Sequence, residues 1–114
     1  MEIRRGDIVL VNLDPVIGSA QGRTRPALII QNDIGNQNSP TTIIAPITTR
    51  IYSKEYPTNV RVDRNESGLD HDSTILLNQI RTVDRSRIVR KLSSLRSGRI
   101  TQVERAIKAS LGIE

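Results

Sequence analysis

The sequence predicts a single α+β domain over residues 1–114, a small antiparallel, barrel-like β-sheet of five to seven strands with a C-terminal helix packed on it. Phe and Trp are absent, so Ile, Leu and Val must form the core, and β-branched side chains favour strands. Short apolar runs alternate with turn-rich segments over most of the chain. A helical period appears only at the C-terminal end.

The strands are predicted where apolar or alternating runs lie between turn signals. Residues 7–13 (DIVLVNL) are apolar on both faces, as in a buried strand. Pro26 suits the beginning of a second strand at 25–31, and Pro46 predicts a bulge or an edge within a third at 41–49. Further short strands are predicted at residues 58–62, 73–77, 79–83 and 88–92.

The connections are expected to be loops at residues 14–24, 32–40 and 63–72, which are rich in Gly and polar residues. The terminal helix is predicted from an apolar face with steps of three and four residues, formed by Ile100, Val103, Ile107 and Leu111. Ser97 is the expected N-cap, and Gly112 is the expected stop.

The charge balance indicates an anionic partner. Lys and Arg number 17 against 12 acids, giving a net charge of +5, and only Lys54, Lys91 and Lys108 are lysines. The planar guanidinium of Arg binds phosphate through two hydrogen bonds, so the preference for Arg over Lys favours a phosphate-bearing partner. An unevenly charged, solvated surface is the alternative.

Several kinds of chemistry are disfavoured by what the sequence lacks. Without Cys there are no disulfides or thiolates, and the acid-rich loop around His71 offers too few ligands for a metal site. No cofactor motif is present. No apolar run reaches the roughly 18 residues of a membrane span, which favours a cytoplasmic protein. The only aromatics, Tyr52 and Tyr56, make a base-stacking platform unexpected.

The remaining candidates are polar residues beside the predicted strands and in the first loop. They are Ser19, Gln21, Arg25, Asn32, Thr48, Thr49 and Gln79. From the residues alone, ordinary structural roles are the favoured interpretation: Asn32 caps a turn, Thr48 is an ordinary strand residue, and Gln79 pairs with the backbone.

Three stretches carry a resemblance to a known family. They are RRGDIVLVNLDPVIGSAQGRTRPALIIQND, then TTIIAPITT, then STILLNQIRTVDRSRI, in this order. The chain resembles the MazF/PemK family of toxin endoribonucleases from type II toxin–antitoxin systems, especially its Gram-positive type. The resemblance implies the CcdB/MazF-like toxin fold, an SH3-like barrel, as a homodimer that is neutralised by an acidic, MazE-like antitoxin.

The resemblance also implies an activity and its residues. Such proteins cleave single-stranded RNA, mainly mRNA, without a metal, and leave a 2′,3′-cyclic phosphate and a 5′-OH. By similarity, Arg25 and Thr48 are the expected catalytic residues. The expected RNA-binding residues are Ser19, Gln21, Tyr56, Pro57, Asn78 and Gln79.

Two positions depart from the family pattern. Ala20 stands where relatives carry Glu in the first loop, and Asn78 stands where similar Gram-positive proteins have Glu. These differences leave open a non-catalytic RNA-binding module, and a related barrel family that poisons DNA gyrase is a further alternative. No general base is identified by the sequence.

Overall fold

The computed structural model describes residues 1–14 and 23–114, so Ser19, Ala20 and Gln21 lie outside the described residues. The described residues form seven strands and three α-helices. The strands are β1 (Asp7–Asn12), β2 (Thr24–Ile29), β3 (Thr41–Thr48), β4 (Asn59–Val62), β5 (Ser73–Leu76), β6 (Arg81–Asp84) and β7 (Ile88–Ser94). The helices are α1 (Asp33–Asn38), α2 (Arg64–Ser67) and α3 (Ile100–Leu111).

The strands pair antiparallel in the order β4-β5-β3-β2-β1-β7, and β6 also pairs with β3. The predicted antiparallel sheet with a C-terminal helix is confirmed. The sheet is open rather than a closed barrel, because no backbone ladder among the described residues joins β4 to β7. The α2 segment bridges this gap: the Ser93 hydroxyl donates to the carbonyl of Ser67, and the Arg96 N–H donates to that of Glu66 at 3.2 Å.

Pro46 lies inside β3 without ending it. It is opposite Ala27 of β2, while the ladder with β6 ends at Ile44 and the ladder with β5 begins at Ile47. The residue that lacks an N–H therefore falls where β3 changes neighbours, and neither ladder needs a donor there.

The two faces of the central strands belong to different apolar clusters. Leu28 and the opposite Ala45 pack in the cluster that also contains Val103 of α3, whereas the next pair, Ile29 and Ile44, belongs to the cluster on the other face. Successive side chains of a strand point to opposite faces, so the continuous apolar runs in the sequence reflect burial on both sides.

Two of the expected loops contain short helices. In α1, the Asn32 side chain accepts from the N–H of Gly35 at 2.8 Å, so the capping interpretation of Asn32 is confirmed. In α2, Asp63 and Glu66 form a reciprocal capping box. Both helices are short and polar, and for that reason no apolar periodicity predicted them.

The terminal helix begins at Ile100, after a 3-10 turn at Ser97–Arg99. The expectation that Ser97 caps the helix is wrong, because the residue before the helix is Arg99, which makes no side-chain cap hydrogen bond. Gly112 ends the helix as predicted, with a φ of 70° that favours glycine. None of the described helices is long and apolar enough to span a membrane.

Candidate nucleic-acid interface

A line of polar residues crosses four neighbouring strands. The β2–β3 ladder ends at the pair Ala27 and Pro46, so Arg25 and Thr48 lie just beyond it, at neighbouring strand ends, and line the same groove. Thr48 pairs with Thr74 of β5, and Thr74 pairs with Arg61 of β4. Cross-strand neighbours share a face, so Thr48, Thr74 and Arg61 form one row. These three residues, together with Arg25 beside the Thr48 end, are called here the polar row.

The two predicted catalytic residues therefore lie at adjacent strand ends and line one groove, although 22 residues stand between them in the sequence. Arg25 is half-buried, and Thr48 is only 8% exposed. The groove thus contains a fork of N–H donors and a hydroxyl.

The hydroxyls of Thr48 and Thr74 also hold the chain that follows β3. Oγ1 of Thr48 accepts from the N–H of Arg50 at 3.2 Å, and Oγ1 of Thr74 donates to the carbonyl of Arg50 at 2.8 Å. Both backbone polar groups of Arg50, its N–H and its carbonyl, are thus hydrogen-bonded to the polar row. These two hydrogen bonds fix the direction in which the chain leaves β3.

Arg25 and Thr48 line one groove of about 460 Å³ at the ends of β2 and β3. The opposite wall comes from β7 and from the segment between α2 and β5. The lining residues are Leu10, Arg25, Pro26, Ile47, Thr48, Thr49, Gly68, Leu69, Asp70, His71, Ser73, Arg90 and Leu92. The lining combines apolar side chains with two arginines, Arg25 and Arg90, against one acid, Asp70, and this excess of positive charge suits an anionic ligand.

A second pocket, of about 360 Å³, is lined by Tyr52, Ser53, Lys54, Glu55, Tyr56, Asn59, Arg61 and Thr74, and is called here the tyrosine pocket. The rings of Tyr52 and Tyr56 meet edge to face, with centroids 5.9 Å apart. The Arg50 guanidinium lies 4.5 Å from the Tyr52 ring centroid. Arg61 and Thr74 belong to both the tyrosine pocket and the polar row.

Sequence reasoning did not single out Tyr52, Arg50 or Arg61. A signal was present, because cations and tyrosines alternate at two-residue steps through Arg50, Tyr52, Lys54 and Tyr56. The scarcity of aromatics argued against a stacking platform, but composition cannot show that both rings lie in one pocket.

The other predicted RNA-binding residues are more dispersed. Pro57 is exposed next to Tyr56, while Asn78 is exposed and Gln79 half-buried in the turn between β5 and β6. None of these three lines the groove or the tyrosine pocket as the described residues define them.

His71 lies in the wall of the groove and is exposed. Among the described residues, no group of three or more His, Cys, Asp or Glu side chains is placed to hold a metal ion. The polar side chains that line the groove carry guanidinium, hydroxyl, carboxylate and imidazole groups.

Comparison with known proteins defines the class of protein as a toxin of a type II toxin–antitoxin system. Residues 4–111 match the family described as PemK-like, MazF-like toxin of type II toxin-antitoxin system. The chain belongs to this family, as the resemblance of its motifs implied.

Solved structures show the same fold. MazF from Deinococcus radiodurans has a TM-score of 0.83 at 26% identity, and the alignment covers 99% of each chain. A MazE–MazF structure from the same organism has a TM-score of 0.77 at 26% identity, covering 100% of this chain and 99% of the other. A mycobacterial endoribonuclease in complex with its cognate antitoxin has a TM-score of 0.82 at 18% identity, covering 98% and 97%, which shows the fold alone.

Proposed function

We propose that the protein is a toxin that cleaves single-stranded RNA, mainly mRNA, as a sequence-specific, metal-independent endoribonuclease. Membership of the toxin family supports the class, and a structurally similar mycobacterial protein is named an endoribonuclease. The observation that carries the proposal is that Arg25, at the start of β2, and Thr48, at the end of β3, line one groove.

The proposed reaction is attack by a ribose 2′-OH on the adjacent phosphorus, which breaks the bond to the 5′ oxygen and leaves a 2′,3′-cyclic phosphate and a 5′-OH. Negative charge develops on the nonbridging oxygens, and the Arg25 guanidinium would stabilise it with paired N–H donors. The Arg50 N–H occupies one lone pair of Thr48 Oγ1, so the hydroxyl proton remains available for a phosphate oxygen.

Positioning is the second contribution that these residues can make. A near-attack geometry is worth about 7–11 kcal/mol at best, and both proposed catalytic residues lie on strands rather than on loops. Proton transfer needs another group, since an arginine side chain is protonated at neutral pH and is a poor base.

The proposed partners follow from charge and from the relatives. MazE–MazF structures are known from Deinococcus radiodurans, and an acidic, partly disordered antitoxin would suit a chain of net charge +5. Such a peptide would block the RNA groove directly. We also propose a homodimer, and cytoplasmic mRNA as the substrate.

Incubation of a long single-stranded RNA with the protein in EDTA tests the proposal. We expect cleavage at a short recurring sequence, mapped by primer extension, and fragments whose 5′-OH ends accept phosphate from a kinase without prior phosphatase treatment. Arg25→Ala should abolish cutting and keep the fold, whereas Arg105→Ala, which removes a charge from an exposed position of α3, should cut normally.

Three results would contradict the proposal. A requirement for added Mg²⁺ would exclude the metal-independent chemistry, and full activity of Arg25→Ala would exclude the assigned role. Intact RNA bound with strong salt dependence would favour the non-catalytic module, and inhibition of DNA supercoiling with intact RNA would favour a gyrase poison.

A further inference from the structure

The proposed cleavage step needs a proton that neither Arg25 nor Thr48 is placed to supply. When the bond between phosphorus and the 5′ oxygen breaks, that oxygen must gain a proton to leave as a 5′-OH. A guanidinium keeps its charge in proteins and is a poor acid. The Thr48 hydroxyl is assigned to a nonbridging oxygen. The groove therefore needs a general acid.

His71 is the described lining residue that is suited to this task. The other polar side chains that line the groove are arginines, hydroxyls and the Asp70 carboxylate. At neutral pH arginines and hydroxyls keep their protons, and a carboxylate has ordinarily lost its own. An imidazole ordinarily changes charge between pH 5 and 8, so it can give up a proton and regain one from water in each turnover.

We propose that His71 is a catalytic residue, the general acid that protonates the 5′ oxygen of the RNA as the strand breaks. This inference rests on the proposed function and deepens it. In the step, the 2′-OH loses its proton to water, its oxygen bonds to phosphorus, the bond from phosphorus to the 5′ oxygen breaks, and the imidazolium proton moves to that oxygen. The neutral imidazole then takes a proton from water, so protons and charges balance.

The segment that carries His71 is fixed on both sides of the imidazole. Gly68 ends α2 with a φ of 71°, a left-handed conformation that favours glycine. The N–H of Arg64 donates to Oδ1 of Asp72 at 3.1 Å, and the Ser73 hydroxyl donates to the carbonyl of His71 at 2.9 Å. The backbone around His71 is thus held against α2 and β5, while His71 itself is exposed.

The groove places His71 on the wall that faces the proposed catalytic pair. His71 lies three residues before Thr74, which pairs with Thr48, and it lines one groove with Arg25 and Thr48. It also lines a neighbouring pocket with Thr49. A phosphate in the groove would therefore be contacted from two sides. In-line displacement requires groups on different sides of phosphorus, because the attacking and leaving oxygens lie roughly in line with it.

The pH dependence of the rate should report the imidazole. The charged groups that share the two cavities with His71 are Arg25, Arg64, Asp70, Asp72 and Arg90. Between about pH 5.5 and 8, arginines stay charged and carboxylates are ordinarily ionised, so the imidazole is the titrating group among them. The wild-type rate should rise with pH as the 2′-OH ionises and should level off once the imidazole loses its proton.

Single-turnover cleavage of two RNA substrates in EDTA tests the inference. Both contain the mapped cleavage sequence, and one of them carries sulfur in place of the bridging 5′ oxygen at the cut. Because thiols have an ordinary pKa of about 8.5, a thiolate leaves without a proton and needs no general acid. The variants are His71→Gln, which has no transferable proton, and Thr48→Val as the matched control.

For the ordinary substrate, His71→Gln should lower the cleavage rate by about 10²–10⁴-fold, the usual contribution of acid–base catalysis, and its rate should keep rising with pH instead of levelling off. For the sulfur substrate, His71→Gln should cleave at nearly the wild-type rate. Thr48→Val loses a donor to a nonbridging oxygen, so it should slow cleavage of both substrates.

The inference is overturned if His71→Gln cleaves the ordinary substrate like the wild type. It is also overturned if this variant slows both substrates equally, which would indicate a structural or binding role for His71. In either case, cleavage by the wild type would still support the proposed endoribonuclease. If the wild type cleaves neither substrate, the proposed function is wrong and the assignment of His71 is wrong with it.

Discussion

At the residue scale, the Thr48 hydroxyl makes one observed contact and has one proposed role. Its oxygen accepts the N–H of Arg50, which anchors the segment that carries the tyrosines, and we propose that its proton is donated to the scissile phosphate. A small polar residue that is 8% exposed can do both because the two tasks use different parts of one hydroxyl group. Its replacement should therefore affect turnover and RNA binding to different degrees.

Thr48→Val keeps the shape of the side chain and removes the hydroxyl. We expect kcat to fall by about 10²–10³, the usual effect of losing one donor to a developing oxyanion, while the Kd for RNA rises much less. Thr48→Ser restores a hydroxyl and should restore most of the turnover. Single-turnover cleavage and equilibrium binding measure the two quantities. Equal losses in both variants would indicate that the methyl group, not the hydroxyl, matters.

At the scale of elements, α1 is held by a buried amide rather than by an apolar face. Asn36 is 1% exposed. Its Oδ1 accepts from the Thr42 hydroxyl at 2.7 Å, and its Nδ2 donates to the carbonyl of Gln31 at 3.0 Å. One side chain thereby ties the helix to both β3 and the end of β2. A buried polar group is costly when unpaired, so these hydrogen bonds make the position specific for Asn.

Asn36→Ala should lower the free energy of unfolding by about 2–3 kcal/mol, because it leaves the buried Thr42 hydroxyl and the Gln31 carbonyl without this partner. Asn38→Ala on the same helix is the matched control. The Asn38 side chain is exposed and donates to the carbonyl of Ile34 on the same helix, so its removal should cost less than about 1 kcal/mol. Urea unfolding followed by circular dichroism compares them, and equal costs would contradict the role assigned to burial.

At the scale of the whole molecule, an ion pair joins α2, the segment that bridges the open edge of the sheet, to the residue that precedes α3. Glu66 of α2 binds Arg99, which precedes α3, through two hydrogen bonds, one of them 2.9 Å from Nη2 to Oε1. The hydrogen bonds from Arg99 lower the pKa of Glu66 below its ordinary value of 4.5, with a further contribution from the Asp63 N–H. A carboxyl whose pKa is lower in the folded state stabilises the fold only while it is ionised.

The stability that Glu66 contributes should be complete at neutral pH and should fall as the pH drops below 4.5 and through the lowered folded value. Glu66→Gln removes the titrating group. The difference in unfolding free energy between the wild type and this variant should therefore become smaller as the pH falls. Asp33 and Asp84 also have lowered pKa values, caused first by the N–H groups of Arg5 and Ser86, but they act equally in both proteins. A gap that stays constant with pH would refute this account.

An element could be predicted where its signal lies in its own residues, and not where it depends on contacts with distant ones. The strands and the helical face around Val103 were predictable, because the spacing of apolar residues within each element shows which side of it is buried. The helix at α1 was not, because it is held by Asn36 hydrogen bonds to Thr42 of β3 and to Gln31, which follows β2, rather than by its own sequence pattern. The cap at Ser97 was mispredicted because a 3-10 turn at Ser97–Arg99 precedes α3 and shifts its start to Ile100.

The residues of the candidate site also fall into those that the sequence predicted and those that it did not. Arg25 and Thr48 were predicted from the resemblance of their motifs, whereas Tyr52 and Arg61 were found only in the structure. Sequence reasoning treats residues one by one, whereas the polar row and the tyrosine pocket depend on which residues of β2, β3, β4 and β5 become neighbours.

The sequence by itself determined an antiparallel β-sheet with one terminal helix, a basic, arginine-rich surface and the toxin family to which the chain belongs. Only the tertiary structure decided that the sheet stays open, that Arg25 and Thr48 line one groove, and that the two tyrosines share a pocket with Arg61. The physical reason is that composition and periodicity act over a few residues, while strand register joins residues more than 20 positions apart and is fixed by how the whole core packs.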